Sequence, residues 1–473
     1  MNKPNLYRYF VPILCCGILA CAKPQNDWSE TASIWIDEGA FQRADSLLNT
    51  VVKEHTSNDE LRRADSLQEI MRRWRIEFPY DSVQITEQIH ARFGDTITSG
   101  QIARWEDSGQ LEMRRIDGEK RYFRRAVGNL FHLVPELSSR AVQSGDDPRI
   151  AHLHSIVDST TRFGAATHPV RTTVHYTLTV HPNAVPEGDT LRCWLPYPQE
   201  IAPRQTDIEL LGSFPATHTL APVGTPQRSI YLEQVARKDS ATRFEVTFRI
   251  INRARYFSQD SLIKEVQPYD TTSEIYRTYT AERPSQILFS DRLTAKAREL
   301  AGNETNPVRI VSRIYDWIDE IPWAGSIEYS VLPHIPEYVL SSGHGDCGQV
   351  GLLLITMLRS VGIPARWESG WTLFPLASNL HDWGSVYYEG VGWVPIDVSA
   401  GRQASDDPAV RNFYKSGLDS YRLVVNSDYS YPFVPRKIHM RSEPIDFQRG
   451  EVETSERNLY FDEWDYFMEI SYE

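Results

Sequence analysis

Ser341-Ser342-Gly343-His344-Gly345-Asp346-Cys347-Gly348-Gln349-Val350-Gly351 sets a thiol among glycines, and the apolar run Leu352-Leu353-Leu354-Ile355, Met357-Leu358 follows before Gly362 and Pro364 close it. The pattern predicts a loop that delivers Cys347 to the start of a buried helix, with Asp346 as its N-cap. A helix N-terminus favours negative charge, so this placement predicts a stabilised thiolate, the reactive form of cysteine. A structural Cys opening a core helix fits the same stretch, and the residues downstream have to separate the two readings.

Beyond the helix come Ala365-Arg366-Trp367-Glu368-Ser369-Gly370-Trp371 and a hairpin signature: His381-Asp382-Trp383-Gly384-Ser385-Val386-Tyr387-Tyr388, then Gly390-Val391-Gly392, then Trp393-Val394-Pro395-Ile396-Asp397-Val398. His381 and Asp397 therefore belong to neighbouring antiparallel strands. A nucleophilic thiol needs a base in contact and a carboxylate to orient that base, and Cys347, His381 and Asp397 supply this set in order. For His381 and Asp397 to share a face, paired residue numbers must sum to an even value. Pairing Tyr388 with Gly392 does this and turns Asp382 to the opposite face.

With these phrases in hand, the chain resembles the transglutaminase-like superfamily of papain-fold cysteine enzymes. The resemblance rests on Gly345-Asp346-Cys347, Gly362-Ile363-Pro364-Ala365-Arg366, His381-Asp382-Trp383 and Gly392-Trp393-Val394-Pro395-Ile396-Asp397, and covers residues 291–400. It implies that Cys347 is the nucleophile, His381 the base and acid, and Asp397 the orienting carboxylate. It also points to Trp323, in Ile321-Pro322-Trp323-Ala324-Gly325-Ser326, as an indole that helps hold the oxyanion; a Trp packed under the helix fits there too. Two departures stand out. Asp382 follows the His where the family prefers a small residue, and Val398-Ser399 replaces the usual Pro-Thr.

The 473 residues, 41% hydrophobic and 24% charged, suit an ordinary globular chain of several domains, and the segment patterns below make it mixed α+β. A formal charge of −13 argues against nucleic acid as partner. Lys3 and Arg8 precede the short apolar stretch Phe10–Ala20, and Ile18-Leu19-Ala20-Cys21 resembles the bacterial lipobox. Residues 1–20 thus read as a signal peptide, Cys21 as the lipidated first residue and 21–30 as a tether, which places the protein in the bacterial cell envelope; an ordinary signal peptide or a short anchor fits the same stretch. Removing Cys15 and Cys16 leaves Cys193 and Cys347, too few for a disulfide framework.

Helical spacing and the turn sequence Asp117-Gly118 predict a helical region with a small hairpin over 31–165. Alternation at Val174, Tyr176, Leu178, Val180 and at Phe244, Val246, Phe248, Ile250 predicts an antiparallel β-sandwich over 166–285. Residues 286–473 read as the transglutaminase-like, papain-like core, with Leu423-Val424-Val425, Ile438-His439-Met440 and the aromatic, acidic tail as its closing strands. No metal, phosphate or dinucleotide motif occurs, so no cofactor is expected. Together these features predict an exported cysteine hydrolase or acyl transferase acting on peptide or carboxamide bonds of a peptide or protein substrate, through a thioester and with hydrolysis favoured. The alternative is a catalytically inactive surface lipoprotein that binds protein or glycan.

Overall fold

The computed structural model describes residues 28–54, 57–138, 147–160, 163–375 and 377–473. The leader, Cys21 and its lipobox lie outside the described residues. The chain is mixed α+β, with helices first and three larger antiparallel sheets after them.

The helical region runs through Trp28–Asp37, Phe41–Glu54, Asn58–Glu77, Ser82–Phe93 and Ser99–Ser108, then the hairpin Met113–Ile116 with Glu119–Tyr122, then Ala126–Leu133. The first helix begins inside the stretch read as a tether, because Trp28, Ala32 and Ile36 find a core to enter. Capping boxes at Asp81/Gln84 and Thr98/Gln101 satisfy the first N–H groups of two of these helices. Gly39, at φ 79°, lets the first helical turn meet the hairpin: a Cβ there would sit 2.0 Å from the Arg115 carbonyl oxygen.

Two five-stranded sheets form the sandwich. One contains Gly417–Leu418, Thr242–Tyr256, Ala166–Val180 and Trp464–Tyr472 in that order, with Gln205–Phe214 also on Thr242–Tyr256. The other orders Asn458–Leu459, Glu451–Glu453, Thr190–Pro196, Ser229–Val235 and His218–Leu220. Of the strands read as closing the core, Leu423-Val424-Val425 does so, whereas Glu451–Glu453, Asn458–Leu459 and Trp464–Tyr472 complete the sandwich instead. Trp464–Tyr472 pairs along Val180–Thr172, and Glu451–Glu453 along Trp194–Arg192. Alternation identifies a strand but carries no address, so the tail's partner was not legible. Ile438-His439-Met440 forms no strand; Glu453 accepts the backbone N–H groups of Ile438 and His439, which removes them from any ladder.

The remaining sheet orders Gly392–Ile396, Asn379–Tyr388, Ala365–Thr372 and Arg422–Asn426. Against it packs the helix Cys347–Ser360, whose Leu352, Leu353, Leu354, Ile355, Met357 and Leu358 are all buried. At about 1.5–3 kcal/mol for each fully buried side chain, this helix is a principal anchor of the core. Pro307–Ile318 and Asp291–Ala301 pack beside it, with Asn306 and Ser290 as N-caps.

A chain of buried ion pairs ties the three regions together. Arg124 reaches Glu77 at 2.8 Å and Glu328 at 2.9 Å, and Arg449 reaches Glu328 at 2.7 Å and also pairs with Glu443. Nearby, Glu112 accepts the Tyr338 hydroxyl at 2.6 Å and has no ion pair among the described residues. Burial and the charge of Glu77 push its carboxyl up to about 7 despite that hydrogen bond.

Candidate active site

Asp346 caps the Cys347 helix as expected. Its side chain accepts the Gln349 N–H at 3.1 Å, the Gln349 side chain accepts the Asp346 N–H at 3.2 Å, and Tyr329 Oη donates to Asp346 at 2.6 Å. The loop is held from the other side by the segment of Trp323: Ala324 N–H donates to Gly345 O at 3.1 Å and Gly345 N–H to Pro322 O at 3.2 Å. Gly348 is needed here, since a Cβ would lie 2.2 Å from Tyr329 Oη and 2.7 Å from Asp382 Oδ2.

The hairpin register pairs Tyr388 with Gly392 and Gly384 with Ile396. His381 and Asp397 thus share a face, and Asp382 points to the other. His381 Nε2 lies 2.8 Å from Asp397 Oδ2, and Arg422 donates to the same oxygen at 3.0 Å. Asp397 Oδ1 accepts from Ala400 N–H at 3.0 Å and Ser399 Oγ at 3.2 Å, so the Val398-Ser399 departure retains a hydroxyl for the carboxylate. Burial alone would raise the Asp397 pKa; His381 and Arg422 outweigh it and hold the group ionised, well below the usual carboxylate range. A carboxylate only accepts, so Nε2 is the donor to Asp397 and Nδ1 is the ring nitrogen left for another partner.

Cys347 meets the opposite face. Its thiol donates to Asp382 Oδ2 at 3.3 Å, and among the described residues no hydrogen bond joins it to His381. Gln448 fixes this arrangement through Nε2, which donates to Asp382 Oδ1 at 2.7 Å and to the His381 carbonyl at 2.8 Å. The expected stabilised thiolate is not found. Burial, then the carboxyls of Asp382 and Asp346, push the Cys347 thiol well up, outweighing the helix N-terminus. Asp382 itself is raised by burial and by Asp446 and Asp346. The other thiol, Cys193, is fully buried in the sandwich core, which raises it as well.

Trp323 is 49% exposed and leans edge-on against His132 at 4.9 Å, two residues before the backbone that Asn129 clamps. It borders the loop of Cys347 rather than packing under the helix. On the His381 face a cavity of about 330 Å³ is lined by His381, His152, Thr372, Phe374, Tyr414 and Arg422 among others; Cys347 is not part of its wall.

Sequence reasoning missed three of these groups. Arg422 left one faint signal, a cation opening the apolar run Leu423-Val424-Val425. Gln448 and Asn129 left none, since each reaches the site from a distant part of the chain.

The sequence model of the transglutaminase-like superfamily matches residues 294–398, and the chain carries that domain there. YebA of Bacillus subtilis strain 168, an uncharacterized protein, is 20% identical over 249 residues, which is 45% of this chain and 33% of that protein. The chain thus spans about a third of the length of this relative. A Cytophaga hutchinsonii crystal structure assigned provisionally as a cysteine protease is 15% identical, with a TM-score of 0.45 over 65% of this chain and 92% of the other. The periplasmic domain of TgpA from Pseudomonas aeruginosa is 14% identical, with a TM-score of 0.24 over 54% of this chain and 94% of that domain.

Proposed function

We propose that this protein is an exported cysteine hydrolase or acyl transferase that cleaves peptide or carboxamide bonds, with Cys347, His381 and Asp397 as its catalytic set. The observation that carries the reading is the 2.8 Å His381–Asp397 bond on a strand whose next residue, Asp382, touches the Cys347 thiol. Consecutive Cα atoms are about 3.8 Å apart, so the backbone of His381 lies one residue from a contact to sulfur.

In the proposed reaction the Cys347 side chain first leaves Asp382 and comes to the His381 side of the strand, where its proton passes to Nδ1 as sulfur attacks the carbonyl carbon. The backbone N–H groups around Cys347 and the Trp323 indole N–H are the donors suited to the oxyanion. His381 then gives its proton to the departing amine as the carbon–nitrogen bond breaks, leaving a thioester. Water releases the acid, and an amine in its place gives transfer. Asp397 keeps the imidazole in one tautomer and balances the charge it gains.

The raised thiol and its bond to a carboxyl favour a second reading, a surface lipoprotein that binds protein or glycan without turnover. One experiment separates them: a peptide library exposed to native protein and to Cys347→Ala. Cleavage or transfer by the native protein alone supports the enzyme; no turnover, together with no iodoacetamide labelling of Cys347 at neutral pH, supports the binding protein. Attachment to the envelope through lipid on Cys21 is part of the proposal and is tested by mass spectrometry of the mature N-terminus and by release of Cys21→Ala from membranes.

A further inference from the structure

Between the helices Ser82–Phe93 and Ala126–Leu133 and the Trp323 segment lies an open cleft of about 630 Å³. Its wall includes Arg92, Arg124, Arg125, His132 and Trp323, and no Asp or Glu among the described residues. In a chain with 63 acidic against 50 basic residues, such a surface is opposite in sign to the molecule that carries it. Arg124 is occupied by Glu77 and Glu328. Arg92 and Arg125 are exposed and make no ion pair among the described residues, so the positive charge they bring is available to a ligand.

The cleft is attached to the nucleophile's loop through backbone. Asn129 donates to the Gly325 carbonyl at 2.9 Å and accepts the Gly325 N–H at 2.8 Å, which fixes the Trp323 segment to the helical region. Gly325 permits this approach, since a Cβ would meet Arg125 Cδ at 3.1 Å and Asn129 Oδ1 at 3.3 Å. The same segment pairs with Gly345, two residues before Cys347. His132 holds the Trp323 ring edge-on in the wall that also carries Arg92, which lies over the Phe93 ring, and Arg125, which acts on Glu328 and Asp346 only through space.

We propose that this cleft is a subsite for an acidic stretch of the peptide substrate, whose carboxylates Arg92 and Arg125 hold beside the face of Trp323. It rests on the cysteine-enzyme reading and names the substrate class for that site. Guanidinium groups pair carboxylates through two parallel hydrogen bonds, and an open cleft admits an extended chain. The helical region then selects the substrate, and the core performs the chemistry.

The test compares fluorogenic peptides that differ only in Glu or Gln on either side of the scissile bond. The native protein is expected to prefer the Glu peptides by about tenfold in kcat/KM, more at low salt than at high. In R92Q/R125Q that ratio should fall toward one, and R92K/R125K should keep most of it. Binding of a fluorescein-labelled oligoglutamate to Cys347→Ala, read by anisotropy, tests the cleft without turnover and should weaken in the same Gln variants. If no peptide is cleaved but oligoglutamate binding depends on Arg92 and Arg125, the cleft stands and the enzyme reading falls. Equal turnover of Glu and Gln peptides, or oligoglutamate binding indifferent to the two arginines, overturns the subsite. Inorganic polyphosphate binding more tightly than oligoglutamate at the same arginines overturns it too, in favour of a phosphate-bearing polymer.

Discussion

Asp397 and Asp382 lie on one hairpin, both buried, and their surroundings drive them in opposite directions. Burial raises either carboxyl. At Asp397 it is outweighed by His381 and Arg422, whereas at Asp382 it is reinforced by Asp446 and Asp346. The fate of a buried carboxyl is set by what it faces, and strand alternation decides that: Asp397 shares the His381 face of the hairpin and meets Arg422, whereas Asp382, one residue after His381, looks into carboxyls and a thiol on the other face. The anionic member suits an imidazole. The member whose pKa is raised accepts from a thiol.

The largest test of this division is Cys347→Ala, which removes the sulfur and should lower turnover by roughly 10⁴-fold or more while leaving the thermal transition near native. Activity that survives would place the chemistry elsewhere. Next, Asp397→Ala should cost about 10²–10⁴-fold in kcat. It should also cost about 3–5 kcal/mol in stability, because Arg422 would be left buried with a partner missing. Full activity in Asp397→Ala with loss in Asp382→Ala would exchange the two roles.

A smaller change sharpens the other face. Asp382→Asn removes a source of negative potential beside sulfur, so alkylation of Cys347 by iodoacetamide should begin about one pH unit lower than in native protein, with Cys193 unreactive in both. An unchanged profile would mean that Asp382 does not hold the thiol up.

The smallest effect extends the comparison to Glu112, a second carboxyl, half-buried, that has no cation partner among the described residues. Its folded pKa lies above its unfolded one, so between about pH 4.3 and 7 the native state keeps a proton that the unfolded chain has lost, and stability falls as pH rises. Asp382 slopes the same way. Asp397 does the reverse: its contribution is complete above about pH 3.9 and is lost as pH falls through its depressed folded value. Urea titrations from pH 4 to 8 should show a flatter fall for Glu112→Gln than for native protein. Parallel curves would show that Glu112 ionises normally.

Much of this geometry was legible before any coordinates. The hairpin phrase and its parity placed His381 and Asp397 on one face and Asp382 on the other, because side chains alternate and a Gly390-Val391-Gly392 turn fixes register. What was not legible came from outside the local phrase. The helix N-terminus suggested an easily ionised thiol, but the carboxyl that opposes this stands 35 residues later and acts only once sheet and helix pack. Arg422 became the counterion of Asp397 only when its strand joined the far edge of the sheet. The tail Trp464–Tyr472 was recognisable as a strand, yet its place beside Ala166–Val180 depends on which sheet leaves an edge open.

That last pairing also sets the order in which the molecule can be finished. Ala166–Val180 is synthesised about 280 residues ahead of the strand that flanks it, so a nascent sandwich presents this long strand as an unpaired edge, with Val174, Tyr176, Leu178 and Val180 along it, until the tail arrives. Pairings this remote form slowly, because a large loop must close before any contact rewards it. The helical region, built from near neighbours, can fold while the sandwich waits. Truncation just before Trp464 therefore removes no group from the candidate active site, yet it would leave a self-associating edge in the middle of the protein.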